Sequence, residues 1–313
     1  MTRPADPSLA RSHWAATRER GSPLLLRLTA WMAARLGRRA VQPVVLLAVA
    51  YFYCFSPSAR RSIARYHARL RASGAGARLP ARFAVFGQFL AFGNAILDKL
   101  QAWRGGIDCS DLIIRDDDDL HGQMGVGRGQ ILVGSHVGNI ELCRALLERQ
   151  GGATMNVLVH TRHAQAFNQL LRRAGASNLR LYQVTELDAG TMLDLNRRID
   201  RGEWLAVAGD RIPVHGQRTV AVDFLGAQAQ LPQGPWLLAG LLKCPANLLF
   251  CTRIDGRYRL ALERLTQRVD WRRGQRDLAI AALAQRYADR LAQECAMAPQ
   301  QWFNFFPFWN DDA

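Results

Sequence analysis

His136 and Glu141, in the run Ser135-His136-Val137-Gly138-Asn139-Ile140-Glu141, are the residues of this chain best suited by type and spacing to move a proton. The apolar run Ile131 to Gly134 precedes them and a helical pattern follows, so His136 is expected on a strand-to-helix turn, with Glu141 in or near the first helical turn. An imidazole within reach of an alcohol can take its proton, and a carboxylate on the other ring nitrogen fixes the tautomer and stabilises the imidazolium. Such a pair can activate a hydroxyl acceptor without a covalent enzyme intermediate. The competing reading is a surface turn whose Glu141 complements the helix dipole. A serine nucleophile is disfavoured, because Gly134-Ser135-His136-Val137-Gly138 carries His where a nucleophile elbow carries Ser.

A second apolar run, Trp204 to Ala208, ends in Gly209-Asp210-Arg211 and leads through Pro213, His215 and Arg218 to the next strand pattern. Guanidinium groups match phosphate oxygens two at a time, so Arg211 and Arg218 could hold a phosphate; equally, Asp210 could pair with either of them to close a loop. His160 and His163 lack further ligands at metal spacing, so no metal is expected, and Asp116 to Asp119 read as a solvated turn.

Both sites sit at strand ends, and the elements that position them alternate strand and helix. Strands are predicted over Ile131 to Gly134, Asn156 to His160, Leu179 to Val184, Trp204 to Ala208, Val220 to Leu225, Asn247 to Thr252 and Tyr258 to Leu262. Helices are predicted over Asn139 to Arg149, Ala164 to Ala174, Ala189 to Arg201, Gln233 to Leu242 and Arg276 to Ala296. That order implies an α/β fold with a mostly parallel or mixed sheet flanked by helices, antiparallel strands near its end, and ligands beyond the strand carboxyl ends.

The amino-terminal part differs in charge. Residues 1–104 hold 17 Lys and Arg against 3 Asp and Glu, whereas the longer remainder holds 24 against 23. No nucleic-acid-binding motif accompanies the basic part, and a basic segment interleaved with apolar stretches suits an anionic membrane surface. Those stretches are Pro23 to Leu36 and the uncharged Val44 to Phe55, separated by Gly37, Arg38, Arg39 and Pro43; the second is short for a bilayer span, which favours a shallow or re-entrant helix. Leu24, Leu28, Trp31 and Met32 fall at interfacial-helix spacing. A basic helix over Arg60 to Arg71, a linker marked by Gly74, Gly76 and Pro80, and a helix from about Arg82 to Ala102 follow, which divides the chain into an N-terminal helical membrane-association segment (1–80) and an α/β domain (81–313). The six cysteines have no CxxC spacing and read as free thiols, and the start of the chain lacks a signal peptide pattern, so the α/β domain is expected in the cytoplasm.

Taken together, SHVGNIE, AGDRIPV, VDFLGAQAQLPQGPWLLA and CPANLLF resemble successive blocks of the bacterial lipid A biosynthesis acyltransferases, a branch of the lysophospholipid acyltransferase superfamily, over roughly Gly37 to Phe308. The resemblance implies a glycerolipid-acyltransferase-like fold with His136 as general base and Glu141 as its partner. It also implies substrate-binding roles for Asp210 and Arg211, beside the Arg218 already read as a phosphate ligand, and for Phe224, Gly226, Pro232, Gly234 and Pro235 along the acyl or acceptor pocket. The acyl donor would be acyl carrier protein or coenzyme A, the acceptor a lipid hydroxyl, and the location the cytoplasmic face of the inner membrane, with no cofactor. Ser135 and Ile140 depart from the Asn and Trp usual in the lipid A enzymes, and the ending Gln301 to Trp309 departs too; these differences bear on the acceptor and are closer to relatives associated with aryl polyene and other surface lipids. A noncatalytic lipid-binding relative is the alternative. The six aromatics from Trp302 to Trp309 either cap an acyl tunnel, dip into the interface, or cover the core.

Overall fold

The structure, a computed structural model, describes residues 23–103, 112–140, 142, 154–159, 179–184, 187–212 and 218–309, with backbone alone at 23–34, 36–38, 100, 103 and 179. Three helices open it: α1 (Pro23–Phe55), α2 (Pro57–Ala72) and α3 (Ala84–Trp103). The two apolar stretches expected to be separate form the single helix α1, with Pro43 inside it. Pro43 removes one intrahelical donor, yet Val41, Val45 and Val49 are buried four residues apart, and the latter two lie so close to α3 that a Cβ on Gly93 would sit 2.9 Å from Val49. Tertiary packing of that stripe outweighs the local break. Pro57 at the first position of α2 then forces the chain to turn, since Ser56 before it is pushed out of the helical region. Among the described residues no single helix is long and apolar enough to cross a membrane, although Arg39–Phe55 with Pro57–Ala72, bent by 91°, passes on length and composition.

The body follows as β1 (Leu112–Arg115), α4 (Leu120–Gln123), β2 (Ile131–Gly134), β3 (Met155–Val159), β4 (Leu179–Gln183), α5 (Ala189–Asp200), β5 (Trp204–Ala208), β6 (Thr219–Phe224), β7 (Ala227–Pro232), α6 (Gly234–Leu242), β8 (Ala246–Ile254), β9 (Arg257–Thr266) and α7 (Arg276–Met297). Seven strands form one sheet in the order β1-β9-β8-β2-β5-β3-β4, parallel throughout except for the β8–β9 hairpin. The strand expected over Val220 to Leu225 is not in this sheet; β6 pairs with β7 as a separate antiparallel ribbon. Most of the helix expected over Asn139 to Arg149, and all of that over Ala164 to Ala174, lie outside the described residues. The acidic run serves the turn before α4: Asp116 accepts from the backbone N–H groups of Leu120 and His121 at 2.7 Å each.

β2 shows how the layers form. Its side chains alternate between two cores, Ile131 and Val133 on the face covered by α7, Leu132 on the other with Trp204, Leu249 and Leu260. A strand buried on both faces needs a continuous apolar run, which is what ILVG and WLAVA supply. On α7, Ile280, Ala284, Tyr287, Ala288, Leu291 and Cys295 make one buried stripe at helical spacing. Glu294 on the same helix is also wholly buried, its Oε1 accepting from Arg259 Nη1 at 2.7 Å and Arg290 Nη2 at 2.6 Å and its Oε2 from Thr252 Oγ1 at 3.2 Å.

Candidate active site

The parallel pairing of β2 with β5 sets Gly134 opposite Ala208. Two residues beyond each strand stand His136 and Asp210, so the register of one ladder brings together residues 74 positions apart. Gly209 N–H continues the ladder to the Gly134 carbonyl at 2.9 Å. The Tyr287 hydroxyl donates to the same carbonyl at 3.0 Å. A Cβ at Gly209 would lie 2.7 Å from Val133 and 2.8 Å from the Tyr287 ring, so only glycine lets β5 end against both.

Asp210 grips His136 with both oxygens. Oδ1 lies 2.7 Å from the ring Nδ1, and Oδ2 accepts from the His136 backbone N–H at 2.8 Å. A third donor, the indole Nε1–H of Trp302, reaches Oδ2 at 3.1 Å. The Asp210 side chain is 1% exposed while the ring is 32% exposed, so the acid is sealed and the imidazole is partly accessible. Burial works to raise the Asp210 carboxyl; the charge of the imidazole and its hydrogen bond, the Arg211 guanidinium and the His136 amide outweigh it and hold the group down at about 2. An ionised carboxylate only accepts, so Nδ1 carries the proton and the neutral ring has its lone pair on Nε2.

The turn is fixed from several sides. Ser135 Oγ accepts from Val137 N–H at 3.2 Å and is buried, a structural duty for that hydroxyl. Gly138 has φ +70 and a Cβ there would lie 1.9 Å from the Cys251 carbonyl oxygen; glycine permits both the left-handed backbone and the close approach to β8. Its N–H donates to Gln301 O at 2.7 Å, Asn139 N–H to Cys251 O at 2.7 Å, and Phe303 N–H to His136 O at 2.9 Å. Asn139 Nδ2 ties the turn to α3 through Ala95 O at 2.9 Å.

Of the residues singled out in the sequence, the fold thus joins His136 and Asp210, with Arg211 alongside. Arg211 Nη2 donates to Phe303 O at 3.1 Å and its guanidinium lies 5.6 Å from the Phe306 ring centre. Arg218 is exposed at the head of β6, where its carbonyl accepts from Gln233 N–H. Phe224 is buried against Trp302, with ring centres 5.3 Å apart. Gly226 (φ +77) follows Leu225 (φ +53) in the two-residue turn of the β6–β7 hairpin, a conformation that favours glycine. Pro232 ends β7, and Gly234 with Pro235 opens α6. Glu141 and His215 lie outside the described residues.

Two features were missed in the sequence. Asp210 was grouped with phosphate binding or a loop pair, and its role on the imidazole follows from strand adjacency, which no local pattern encodes. For Trp302 the sequence leaves a tunnel cap, an interfacial segment and a core cover open; Trp302, Phe303 and Trp309 are buried and Trp309 Nε1 donates to Phe224 O at 3.3 Å, as a core cover requires. The one available signal for the bond to Asp210 was that a buried indole N–H usually finds an acceptor.

In sequence comparison no curated protein matches the chain. A family model described as bacterial lipid A biosynthesis acyltransferase matches residues 97–311, more than half of the chain, and spans His136, Asp210 and Trp302. The chain therefore belongs to the bacterial lipid A biosynthesis acyltransferase family.

Proposed function

We propose that the protein moves a fatty acyl group from the thioester of acyl carrier protein or coenzyme A to a hydroxyl of a bacterial glycolipid or surface lipid, lipid A-like or aryl polyene-bearing, with His136 as general base. The observation that carries this reading is the buried Asp210 carboxylate on Nδ1 of a partly exposed ring at the ends of two parallel strands. In this scheme Nε2 takes the proton of the acceptor hydroxyl as its oxygen attacks the thioester carbon. The carbon–sulfur bond breaks, and the imidazolium returns the proton to the departing thiolate, so no acyl-enzyme forms. Asp210 stabilises the transient imidazolium and holds its tautomer. Glu141 enters through the family motif, and Arg211 and Arg218 are assigned to phosphates of the carrier or acceptor.

Attachment at the cytoplasmic face of the inner membrane is part of the same proposal. Leu47, Tyr51 and Phe55 are exposed four residues apart along α1, Leu47 by 72%, and Arg60 and Arg61 follow at the start of α2. An apolar ridge flanked by cations suits an interface, at about 1 kcal/mol per basic residue near anionic headgroups.

The test is transfer by purified protein from acyl-carrier-protein and coenzyme A thioesters. The acceptor is identified by mass spectrometry of membrane lipids from cells with and without the gene. His136→Ala should lower turnover by on the order of 10² to 10⁴ with donor binding little changed. Full activity of that variant, folded and membrane-bound, would sink the catalytic assignment.

A further inference from the structure

We infer that Trp302 is a positioning residue of this site, holding Asp210 and the His136 turn from a direction that the sheet does not supply. The inference rests on the reading of His136 as base. Strands β2 and β5 bring the two side chains together, but a carboxylate bonded to one imidazole nitrogen can still pivot about its own axis. Two donors on Oδ2, the His136 amide at 2.8 Å and the Trp302 indole at 3.1 Å, leave Oδ1 as the oxygen that faces the ring. The plane of the imidazole is thereby set.

Trp302 is itself held rigidly enough for this duty. Its ring packs edge-on against Tyr66, Phe224 and Phe308, with centres 4.9, 5.3 and 4.8 Å away. Its carbonyl accepts from Gln88 Nε2 at 2.6 Å, and Gln88 Oε1 accepts in turn from His67 Nε2–H at 2.8 Å. Its backbone bridges Val137, and the residues on either side bond the His136 turn, Gln301 O to Gly138 N–H and Phe303 N–H to His136 O. Helices α2 and α3 therefore brace Trp302, and Trp302 braces the pair. The buried indoles of Trp204 and Trp236 fill the core with no acceptor among the described residues, so packing alone does not account for a Trp302 bond to the carboxylate that serves the proposed base.

The experiment compares Trp302→Phe with His136→Ala in the full chain, measuring kcat, donor KM and the pH profile of kcat/KM. Phenylalanine keeps an aromatic ring among its neighbours and removes the donor together with part of the ring volume. We expect kcat to fall by on the order of 10-fold to 10²-fold with KM nearly unchanged, since a mis-set base affects the transition state rather than donor binding. Without the indole bond, Asp210 concentrates its charge on the imidazolium, so the acid limb of the profile should move to higher pH. A folded Trp302→Phe with wild-type kcat and an unmoved limb would overturn the inference; so would a lower active fraction whose remaining molecules behave as wild type. If His136→Ala retains activity, the base reading falls first and takes this inference with it. Should Trp302→Phe fail to fold, the pair His67→Phe/Gln88→Met decides, because replacing both partners of a buried hydrogen bond by apolar groups is close to neutral for folding. It removes one of the two donors on the Trp302 carbonyl, which keeps the Asn304 N–H at 2.8 Å, and should give the same signature at smaller size, whereas wild-type kinetics would overturn the inference.

Discussion

Asp210 and Glu294 are both buried carboxylates joined to nitrogen cations or their equivalents, and they lie at opposite duties in the same molecule. Glu294 faces the guanidinium groups of Arg259 and Arg290, and Thr252 completes its bonding. The cluster ties α7 to β8 and β9. Asp210 faces an imidazole, the one side chain that gains and loses a proton near pH 7, and the ring is 32% exposed. Burial of an acid is thus common to scaffold and candidate site; the chemistry of its partner and that partner's partial exposure separate them.

The sharpest way to break the comparison is Asp210→Asn. All three groups around the carboxylate are donors, so an amide would set an N–H against an N–H and favour the wrong tautomer of His136. Turnover should fall on the order of 10³-fold to 10⁴-fold, with stability affected far less. Wild-type turnover would class Asp210 with Glu294. The converse variant, Glu294→Gln, leaves two guanidinium groups short of a buried counter-charge and should cost about 3 kcal/mol in urea unfolding. Its kcat per folded molecule should equal that of wild type, and a kcat loss would extend the site to α7.

His67 supplies a third, smaller case, a buried titratable ring outside the site. Its Nε2–H is taken by Gln88, and its Nδ1 has no partner among the described residues. Burial, only partly offset by the Gln88 bond and reinforced by Arg71, pulls its pKa from 6.5 down to about 4. The folded-state value is the lower one, so the unfolded chain takes up the proton first. The stability His67 contributes is complete above about pH 6.5 and is lost as pH falls toward 4. At pH 5 the loss should be roughly 2 kcal/mol relative to pH 7. Melting temperatures should show it, and the His67→Phe/Gln88→Met pair should flatten the slope.

Much of the scaffold was legible because it is written in local patterns. ILVG and WLAVA are apolar runs of strand length, and α7 carries a clear helical stripe. β7 was missed since AQAQLP has low strand propensity and is extended because β6 pairs with it across the Leu225–Gly226 turn. β1, LIIR, is too short to stand out beside four aspartates, and pairing with β9 defines it. The break expected before Val44 was a sound local inference that packing of Val41, Val45 and Val49 reverses. The candidate site divides in the same way. The strand-end position of His136 was legible, whereas its bonded carboxylate was not, because strand order in a sheet is a tertiary fact and Asp210 is 74 residues away.

The bonds made by residues 301–303 bear on the order in which the molecule is completed. They connect the His136 turn to a segment about 165 residues later, and Gln88 to one 214 residues later, closures that are entropically dear and come after local pairing. A chain that has formed its parallel ladder but not docked Trp302 would hold His136 and Asp210 side by side without the third bond. On the proposed function, full competence for proton transfer would then wait on the docking of Trp302, so a partly folded chain meeting a thioester would be slow to waste it.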